Sequence, residues 1–530
     1  MFQFLAITPA GCRRSFPRHL LHRLTTLAIS AVVVLVAQAF YTQPVNADQA
    51  SRPNIIFIMA DDQGWGDVGY YDHPVLKTPN LDEMAAAGLR FDRFYAAAPV
   101  CSPTRGSVLT GRHPNRFGCF KWGFPLRPQE VTIAELLQSA GYVTGHFGKW
   151  HLGSVRVGSP VNPGASGFDH WLSAPNFFDN DPVLSREGNA VQLTGESSHV
   201  TADAAIDFIR KQAAADKPFM GVVWFGSPHA PHRASDEILA AYADQPARLA
   251  HFYGEIAGID QAVGKLRAEL RALGIHENTL VWYCSDNGGL PKLARTGGRK
   301  FKGSIYEGGL RVPAIIEWPA RIPKGRHTNL PANTVDIYPT LADIVGVQPE
   351  HQPPLDGISL VPAIDGQMTQ RPQPIGFWDY DTRGRGVPSD QLMRELLAAQ
   401  AAGDEVGDKS RLQLDAGKIT ETHSLERFLG HSAWLDWPWK LHRIEDTHGK
   451  VTWELYQLQS DPEESDDLLR FIPAEAKKPS QLLASGGTSQ QPDKNAEKRT
   501  TVPPELTSKL QDELHDWLRS VVRSLNGDDY

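Results

Sequence analysis

The chain has 530 residues, of which 41% are hydrophobic and 22% charged, and its formal net charge is −8. A chain of this length can form one large α/β domain together with a smaller one. The acidic balance argues against bulk binding of nucleic acid, which needs a basic surface, so we expect no nucleic-acid partner.

The first 47 residues have the layout of a secretory signal. Four arginines precede the apolar run LTTLAISAVVVLVAQAF, and the small-residue sequence VNA ends at Ala47. The alternative is a retained membrane anchor, but the run is slightly shorter than the ~20 residues of a membrane span. We therefore predict a signal peptide over 1–47 and an exported protein, periplasmic or extracellular, that has no membrane contact after cleavage.

Cysteines are scarce in the rest of the chain. After residue 47 only Cys101, Cys119 and Cys284 occur. Three is an odd number and too few for a disulfide framework, so at least one thiol is unpaired in the monomer. A Cys101–Cys119 disulfide stays open as an alternative. Cys119 and Cys284 are expected to be structural, since one follows the helix predicted after Cys101 and the other lies in a predicted strand.

Apolar segments rich in β-branched residues alternate with helical patterns along the chain. The predicted strands cover 53–60, 142–147, 219–225 and the segment HENTLVWYC, which ends at Cys284. Strands that alternate with helices predict an α/β fold with a doubly wound, mostly parallel sheet flanked by helices.

The helices between these strands carry start signals. Asn80 and Glu83 have the spacing of a capping box, as have Thr132 and Glu135 in VTIAELLQSAG. A longer amphipathic helix is predicted over 247–273.

Each predicted strand ends in polar residues. In chain order, the four exits carry Asp61 and Asp62, Lys149 and His151, His229 and His232, and Asp286 and Asn287. Acids in glycine-rich loops are usually turn formers, and a lone histidine is usually structural. Ligands of open α/β sheets, however, bind beyond the carboxyl ends of the strands. We therefore predict that the polar residues at all four strand ends lie together on one rim of the sheet.

The residue types at this rim define a chemistry. The first and last of these strand ends offer only oxygen ligands, which suit Ca²⁺ or Mg²⁺ and argue against a zinc site: Asp61, Asp62, Asp286 and Asn287. Cations near the metal would be Arg105, Lys149 and Lys302. A divalent ion surrounded by cations suits a tetrahedral oxyanion ester, so sulfate and phosphate esters both fit.

The segment FYAAAPVCSPTRGSVLTGRHP, residues 94–114, places Cys101 at the start of a helix that Pro103 is predicted to begin. Arg105 would lie about one turn further along. The helix N-terminus favours negative charge at Cys101, so a thiolate nucleophile is one interpretation. A thiolate on a hard cation is nevertheless a mismatched pair, and the chemical form of the nucleophile stays open.

CSPTRGSVLTGR resembles the signature of the type I, formylglycine-dependent sulfatases of the alkaline-phosphatase-like superfamily. In that family C-x-P-x-R directs oxidation of the cysteine to formylglycine (3-oxoalanine), and Thr104 stands here where serine is common. Other segments match in the expected order: PNIIFIMADDQGWGD, GYVTGHFGKWHLG, SPHAPH, NTLVWYCSDNGG and FKGSIYEGGLRVPAIIEWP. The resemblance covers residues 52–370, with a thinner trace to about 470.

The resemblance implies a role for each residue of the rim. The metal, usually calcium, would be held by Asp61, Asp62, Asp286, Asn287 and the formylglycine made from Cys101. Arg105 would support the hydrated aldehyde, and the sulfate or leaving group would be bound by Lys149, His229 and Lys302. One hydroxyl of the hydrate would attack sulfur, and His151 would take a proton from the other so that sulfate is expelled. His232 lies outside the shared core and either contacts substrate or caps a loop.

The resemblance also predicts the domain organisation, with a catalytic domain over 52–370 and a smaller α+β C-terminal subdomain over 371–530. Insertions are predicted at 382–425 and 475–500, the second poor in apolar residues. The first is either a surface elaboration or one wall of the substrate cleft. Its neighbour HSAWLDWPWKLHRIED begins a predicted antiparallel hairpin, and PPELTSKLQDELHDWLRSVVRSL predicts a closing amphipathic helix.

The leading hypothesis is a sulfatase that hydrolyses an O-sulfate ester of a sulfated carbohydrate and is matured by a formylglycine-generating enzyme. A phosphomonoester or phosphonate hydrolase of the same superfamily is the first alternative, against which Cys101 and the all-oxygen ligand set count. A non-catalytic sugar-binding relic with an unmodified Cys101 is the second, although every expected catalytic position is filled.

Overall fold

The computed structural model describes residues 52–348, 351–470 and 502–530. The predicted signal peptide 1–47 and the predicted insertion 475–500 lie outside the described residues, so export stays a prediction. Among the described helices, none combines the length and the apolar character needed to cross a bilayer.

The secondary structure alternates as the sequence predicts. The strands are β1 (Asn54–Ala60), β2 (Leu89–Tyr95), β3 (Val143–Lys149), β4 (His170–Ala174), β5 (Val183–Arg186), β6 (Asn189–Gln192), β7 (Phe219–Trp224), β8 (Thr279–Ser285), β9 (Arg311–Glu317), β10 (Arg326–Thr328), β11 (Ala332–Asn333), β12 (Ile375–Tyr380), β13 (Gly430–Asp436), β14 (Trp439–Glu445) and β15 (Val451–Gln457). The α-helices are α1 (Pro79–Ala87), α2 (Cys101–Thr110), α3 (Ile133–Ser139), α4 (Ser197–Ala214), α5 (Asp236–Leu239), α6 (Ala247–Ala272), α7 (Glu307–Leu310), α8 (Ile337–Val345), α9 (Val361–Ile364), α10 (Ser389–Ala401) and α11 (Pro504–Asn526).

The larger of the two described sheets has 11 strands in the order β10-β2-β9-β8-β1-β7-β3-β4-β5-β6, with β11 beside β2. Pairing is parallel from β8 through β1, β7 and β3 to β4. It is antiparallel where β9 lies between β2 and β8, and where β5 and β6 extend the edge. The predicted mostly parallel sheet is confirmed.

Strand β1 shows why both faces of this sheet are covered. Ile55, Phe57 and Met59 pack into one apolar cluster with α2, α3 and α8. Ile56 and Ile58 point to the opposite face and pack with α1, α4 and α6. Because successive side chains of a strand alternate between faces, a strand buried on both has no polar face, as its apolar sequence indicated.

The second sheet is antiparallel, with the order β12-β13-β14-β15, and α11 covers one of its faces. Leu510, Leu514 and Leu518 recur at a spacing of four and pack against Leu441 and Leu455 of the sheet. The predicted hairpin and closing amphipathic helix are therefore confirmed. The predicted division at residue 371 stays a prediction.

One predicted capping box forms and the other does not. In α3, Thr132 accepts a hydrogen bond from the Glu135 N–H, and the Glu135 carboxylate accepts one from the Thr132 N–H. Helix α1 instead begins at Pro79, and the Asn80 side chain donates to Asp260 at 2.8 Å. The prediction for Asn80 was wrong because Asp260 of α6 supplies the cap: its carboxylate accepts from the Asn80 N–H at 3.3 Å and from the Leu81 N–H at 2.8 Å.

Helix α2 begins at Cys101, two residues before the predicted start at Pro103. The proline is tolerated at the third position because the first four N–H groups of a helix have no partner within it. Cys101 consequently belongs to the first turn of the helix itself.

Candidate active site

The register of β1 and β8 brings the predicted oxygen ligands together. These strands are parallel neighbours with Ala60 opposite Ser285, so Asp61 and Asp286 leave the sheet side by side. The Asp62 N–H donates to Asp286 Oδ1 at 3.1 Å, and Asn287 Nδ2 donates to Asp62 Oδ1 at 2.8 Å. All four side chains are buried. The predicted ligand set is thus one cluster.

Helix α2 presents Cys101 to this cluster. The sulfur and one carboxylate oxygen each of Asp61 and Asp62 lie within 4.8 Å of one another. Arg105 follows one helical turn later, and its Nη2 lies 2.8 Å from Asp286 Oδ2 and 3.8 Å from Asp61 Oδ1. The guanidinium therefore connects α2 to two of the carboxylates.

The environment of Cys101 bears on its chemical form. Burial raises the pKa of the thiol, although Lys149 and Lys302 oppose that shift. An unmodified Cys101 would accordingly stay protonated at neutral pH, which counts against the thiolate interpretation.

The alternative of a Cys101–Cys119 disulfide is wrong. The structure has both cysteines free, and the Cys119 thiol donates to the Phe124 carbonyl at 3.4 Å. Cys119 and Cys284 are both fully buried, as expected of structural residues.

Two lysines lie over the carboxylates. Lys149, the last residue of β3, has its Nζ 2.5 Å from Asp61 Oδ2. Lys302, from the connection between β8 and β9, has its Nζ 2.6 Å from Asp62 Oδ1. Burial alone would raise the pKa of both carboxyls. Lys149, with help from His229, outweighs burial and lowers the pKa of Asp61. Lys302, again with His229, does the same for Asp62.

Asp286 behaves in the opposite way. Burial, followed by the charge of Asp61, raises the pKa of Asp286 despite its contact with Arg105. The charged form of Asp286 is therefore disfavoured, and an additional cation beside this carboxyl would favour it.

The residues fit a hard cation. Asp61 Oδ1 and Asn287 Oδ1 are buried and have no hydrogen-bond partner among the described residues. A buried oxygen without a partner is costly, and a cation bound to both would remove that cost. Carboxylate and amide oxygens are ligands that Ca²⁺ and Mg²⁺ prefer.

The histidines differ in their contacts. Both ring nitrogens of His151 lack a hydrogen-bond partner within the described chain. Burial, together with the charge of Lys149, lowers the pKa of His151 well below its usual value, so its imidazole is neutral and can accept a proton. The Nδ1 of His229 lies 2.6 Å from the Ala230 carbonyl, which leaves Nε2, 3.8 Å from Asp62 Oδ2, directed at the cluster.

His232 is held within its own loop. Its Nε2 lies 2.9 Å from the Pro228 carbonyl, and its ring packs edge-on against Phe252. Of the two roles considered for His232, the structure displays the loop contact, and substrate binding stays a prediction.

Two aromatic residues near the cluster were not singled out from the sequence. Phe177 stacks on His229 with ring centroids 4.2 Å apart, and the Trp224 ring lies 5.1 Å from the Arg105 guanidinium carbon. Trp224 lies within the predicted strand 219–225, one residue before its end, and a position so close to a strand end is a usable signal. Phe177 follows β4, a strand that the sequence reasoning missed.

A pocket of about 230 Å³ opens beside His151. The insertion 382–425 contributes much of its lining, including Val387, Leu392 and Met393. The insertion thus forms part of a pocket beside His151, and its role as a wall of the substrate cleft stays a prediction.

This chain resembles known proteins in sequence and in fold. The model of the Sulfatase family matches residues 53–347. N-acetylgalactosamine-6-sulfatase of Canis lupus familiaris is 36% identical over 376 residues, which cover 62% of this chain and 69% of the relative. Arylsulfatase A of Homo sapiens is 35% identical over 380 residues, which cover 64% and 73%.

Among solved structures, Ps i-CgsB in complex with k-i-k-neocarrahexaose has a TM-score of 0.65 and 26% identity, over 79% of this chain and 89% of that one. The family model, the relatives and the solved structure all indicate the same family. The chain belongs to the sulfatase family of the alkaline-phosphatase-like superfamily and is an enzyme that hydrolyses sulfate esters.

Proposed function

We propose that this enzyme hydrolyses an O-sulfate ester of a sulfated carbohydrate, with a formylglycine made from Cys101 as its nucleophile. The observation that carries the proposal is the approach of Cys101 to Asp61 and Asp62, within 4.8 Å, beneath two lysines. The relatives support the substrate class, since one is named for the sulfate that it removes from N-acetylgalactosamine.

The modification suits the surroundings of residue 101. Cys101 is 2% exposed, and its thiol would be protonated and soft beside oxygen ligands. A hydrated formylglycine would supply a hydroxyl as nucleophile and a hard oxygen ligand for Ca²⁺ or Mg²⁺. The bound cation would supply positive charge for the sulfate oxygens, held by Asp61, Asp62, Asp286 and Asn287.

The side chains around residue 101 then have separate tasks. The ammonium groups of Lys149 and Lys302 bind the sulfate oxygens and stabilise charge that develops on them. Neutral His151 accepts a proton from the second hydroxyl of the hydrate, the one that does not attack sulfur, so that the aldehyde re-forms and sulfate is expelled. His229, held through Nδ1 by the Ala230 carbonyl, donates from Nε2 to the leaving alcohol when it is protonated. Arg105 holds the geometry of Asp286 and Asp61.

Mass spectrometry of the tryptic peptide Phe94–Arg105, from protein produced in its native host, tests the modification directly. We expect an aldehyde at residue 101. An intact thiol would signify immature protein or the sugar-binding relic, and co-expression with a formylglycine-generating enzyme separates these outcomes. A thiol that persists after co-expression contradicts the proposal.

Paired assays on an aryl sulfate and the matching aryl phosphate test the reaction. We expect the sulfate to be turned over faster in saturating calcium. Faster turnover of the phosphate would favour the phosphate or phosphonate hydrolase instead.

Replacing Lys302 should affect the rate far more than the stability. In Lys302→Ala we expect kcat to fall by about 10²–10³, the range for removing one preorganised charge-stabilising group. Lys300→Ala is the matched control, because Lys300 is exposed and lies two residues earlier. An unfolded Lys302→Ala protein, detected by its melting curve, would identify Lys302 as structural.

We also infer export, supported by the arginines, apolar run and VNA site of residues 1–47. N-terminal sequencing of protein recovered from the periplasm or medium should begin at Asp48. A start at Met1 would indicate a retained segment.

A further inference from the structure

Positive charge continues beyond the sulfate-binding cluster into the pocket beside His151. Three arginines line this pocket, Arg156, Arg385 and Arg411, and no aspartate or glutamate is among its lining residues in the described chain. The whole chain carries −8, so this charge does not reflect the composition. A concave surface lined by one sign of charge attracts ligands of the opposite sign.

Two of the three guanidinium groups already have protein partners. Arg156 is buried and donates to the main-chain carbonyls of Val406 and Leu392, which fastens the insertion to the catalytic domain. Arg411 lies 3.4 Å from Asp408. Both contacts stabilise the insertion.

Arg385 is different. It is exposed, and its guanidinium has no carboxylate partner within the described residues. The guanidinium carbon lies 4.0 Å from the ring centroid of Phe124, a cation–π contact that holds the side chain at the edge of the pocket. Its charge is therefore positioned but not neutralised.

The main chain around Arg385 is tied to the nucleophile helix. The Arg385 N–H donates to the Trp122 carbonyl at 2.8 Å, and the Gly123 N–H donates to Ser102 Oγ at 2.8 Å. Gly123 has φ +79°, and a Cβ there would come within 2.1 Å of the Arg385 carbonyl oxygen. This close approach links Arg385 to Ser102, the neighbour of Cys101.

The pocket also has an extension. Arg385 and Gln413 line a second pocket of about 570 Å³, whose aromatic lining includes Phe124 and the stacked pair Phe120 and Tyr380, with centroids 4.7 Å apart. Its charged lining is mixed, with Arg127 and Lys418 as well as Asp381, Asp415 and Glu421. Ligand pockets in proteins usually have volumes of about 300–1,000 Å³. The two pockets, which share Arg385, thus offer room for more than the ester-bearing sugar.

We propose that Arg385 binds a second anionic group, a sulfate or a carboxylate, on an oligosaccharide whose hydrolysed sulfate lies at residue 101 and whose chain continues into the second pocket. The inference rests on the proposed function and narrows it to multiply charged oligosaccharides. Arginine suits this role because its planar fork can bind either anion through two parallel hydrogen bonds.

The test compares Arg385→Ala with Arg383→Ala. Arg383 is also exposed, lies in the same segment and lines neither pocket, so it controls for loss of one positive charge. The substrates are an aryl sulfate and tetrasaccharides from chondroitin 6-sulfate, ι-carrageenan and heparin. For each tetrasaccharide that is cleaved, the measured quantity is the ratio of its kcat/KM to that of the aryl sulfate. For a tetrasaccharide that is not cleaved, the reciprocal of its inhibition constant replaces its kcat/KM in this ratio.

For at least one tetrasaccharide we expect this ratio to fall about tenfold in Arg385→Ala, the size of one charge-assisted contact, and to stay unchanged in Arg383→Ala. The loss should lie in KM and shrink as salt is added, since an exposed contact is screened. Arg385→Lys, which keeps the charge, should recover part of it.

Two failures can be told apart. If wild-type enzyme hydrolyses the aryl sulfate but no tetrasaccharide distinguishes Arg385→Ala from Arg383→Ala, this inference is overturned and the proposed function stands. If matured wild-type enzyme hydrolyses no sulfate ester, the proposed function fails and the inference falls with it.

Discussion

Cys101→Ser is expected to lower kcat by more than about 10³, the scale on which removing a covalent nucleophile acts, while the fold stays intact. Serine nearly matches cysteine in size, so the buried first turn of α2 can accommodate it. Its single hydroxyl could attack sulfur once, beside the same lysines. It has no second hydroxyl from which His151 could take a proton, so sulfate would stay bound to the protein.

The measurement is the mass of the Phe94–Arg105 peptide after incubation with an aryl sulfate, together with the rate of aryl alcohol release. We expect one equivalent of alcohol or less, and a sulfate adduct at residue 101. Cys119→Ser is the matched control, because its hydroxyl can keep the bond to the Phe124 carbonyl. Sustained turnover by Cys101→Ser would refute the formylglycine mechanism.

The grouping of the candidate ligands could be predicted because it follows from strand order rather than from loop geometry. Asp61 and Asp286 each come directly after a buried strand, and parallel strands end at one edge of a sheet. Once β1 and β8 pair, these side chains must meet. The same rule placed Lys149 at the end of β3, beside Asp61.

What could not be predicted depends on contacts between distant segments. Asp260 caps α1 from 180 residues away, so the local pattern around Asn80 gave the wrong cap. Arg385 lies in the loop before α10, and its link to Trp122 is a main-chain contact that no side-chain pattern reveals. The form of Cys101 was open because the pKa of a thiol depends on burial, which the sequence does not give.

Asp286→Asn is expected to remove most of the stabilisation that calcium gives to the protein. A ligand that binds only the folded state at a hundredfold excess over its Kd stabilises it by about 2.7 kcal/mol. Replacing a charged ligand by an amide should weaken binding by more than about 100-fold, since even outer partners of metal ligands contribute 10–100-fold. The measurement is the melting temperature in calcium and in chelator.

Asp356→Asn is the matched control, because the Asp356 side chain is only 11% exposed and pairs with an arginine, Arg116, outside the cluster. The pKa values of the two carboxyls are shifted in opposite directions. Burial would raise the pKa of Asp356, but Arg116 outweighs it, so the charged form is favoured; at Asp286, burial and Asp61 leave the charged form disfavoured. In chelator, therefore, Asp356→Asn should destabilise the protein more than Asp286→Asn does.

The response to calcium should differ in the opposite sense. Asp356→Asn should keep the rise in melting temperature that calcium causes, and Asp286→Asn should lose it. Equal responses in the two variants would mean that Asp61, Asp62 and Asn287 hold the ion without Asp286. Asp286 would then serve only to position Arg105, which donates a hydrogen bond from Nη2 to Asp286 Oδ2 at 2.8 Å. The calcium response thus separates a metal ligand from a positioning residue in a way that loss of activity alone would not.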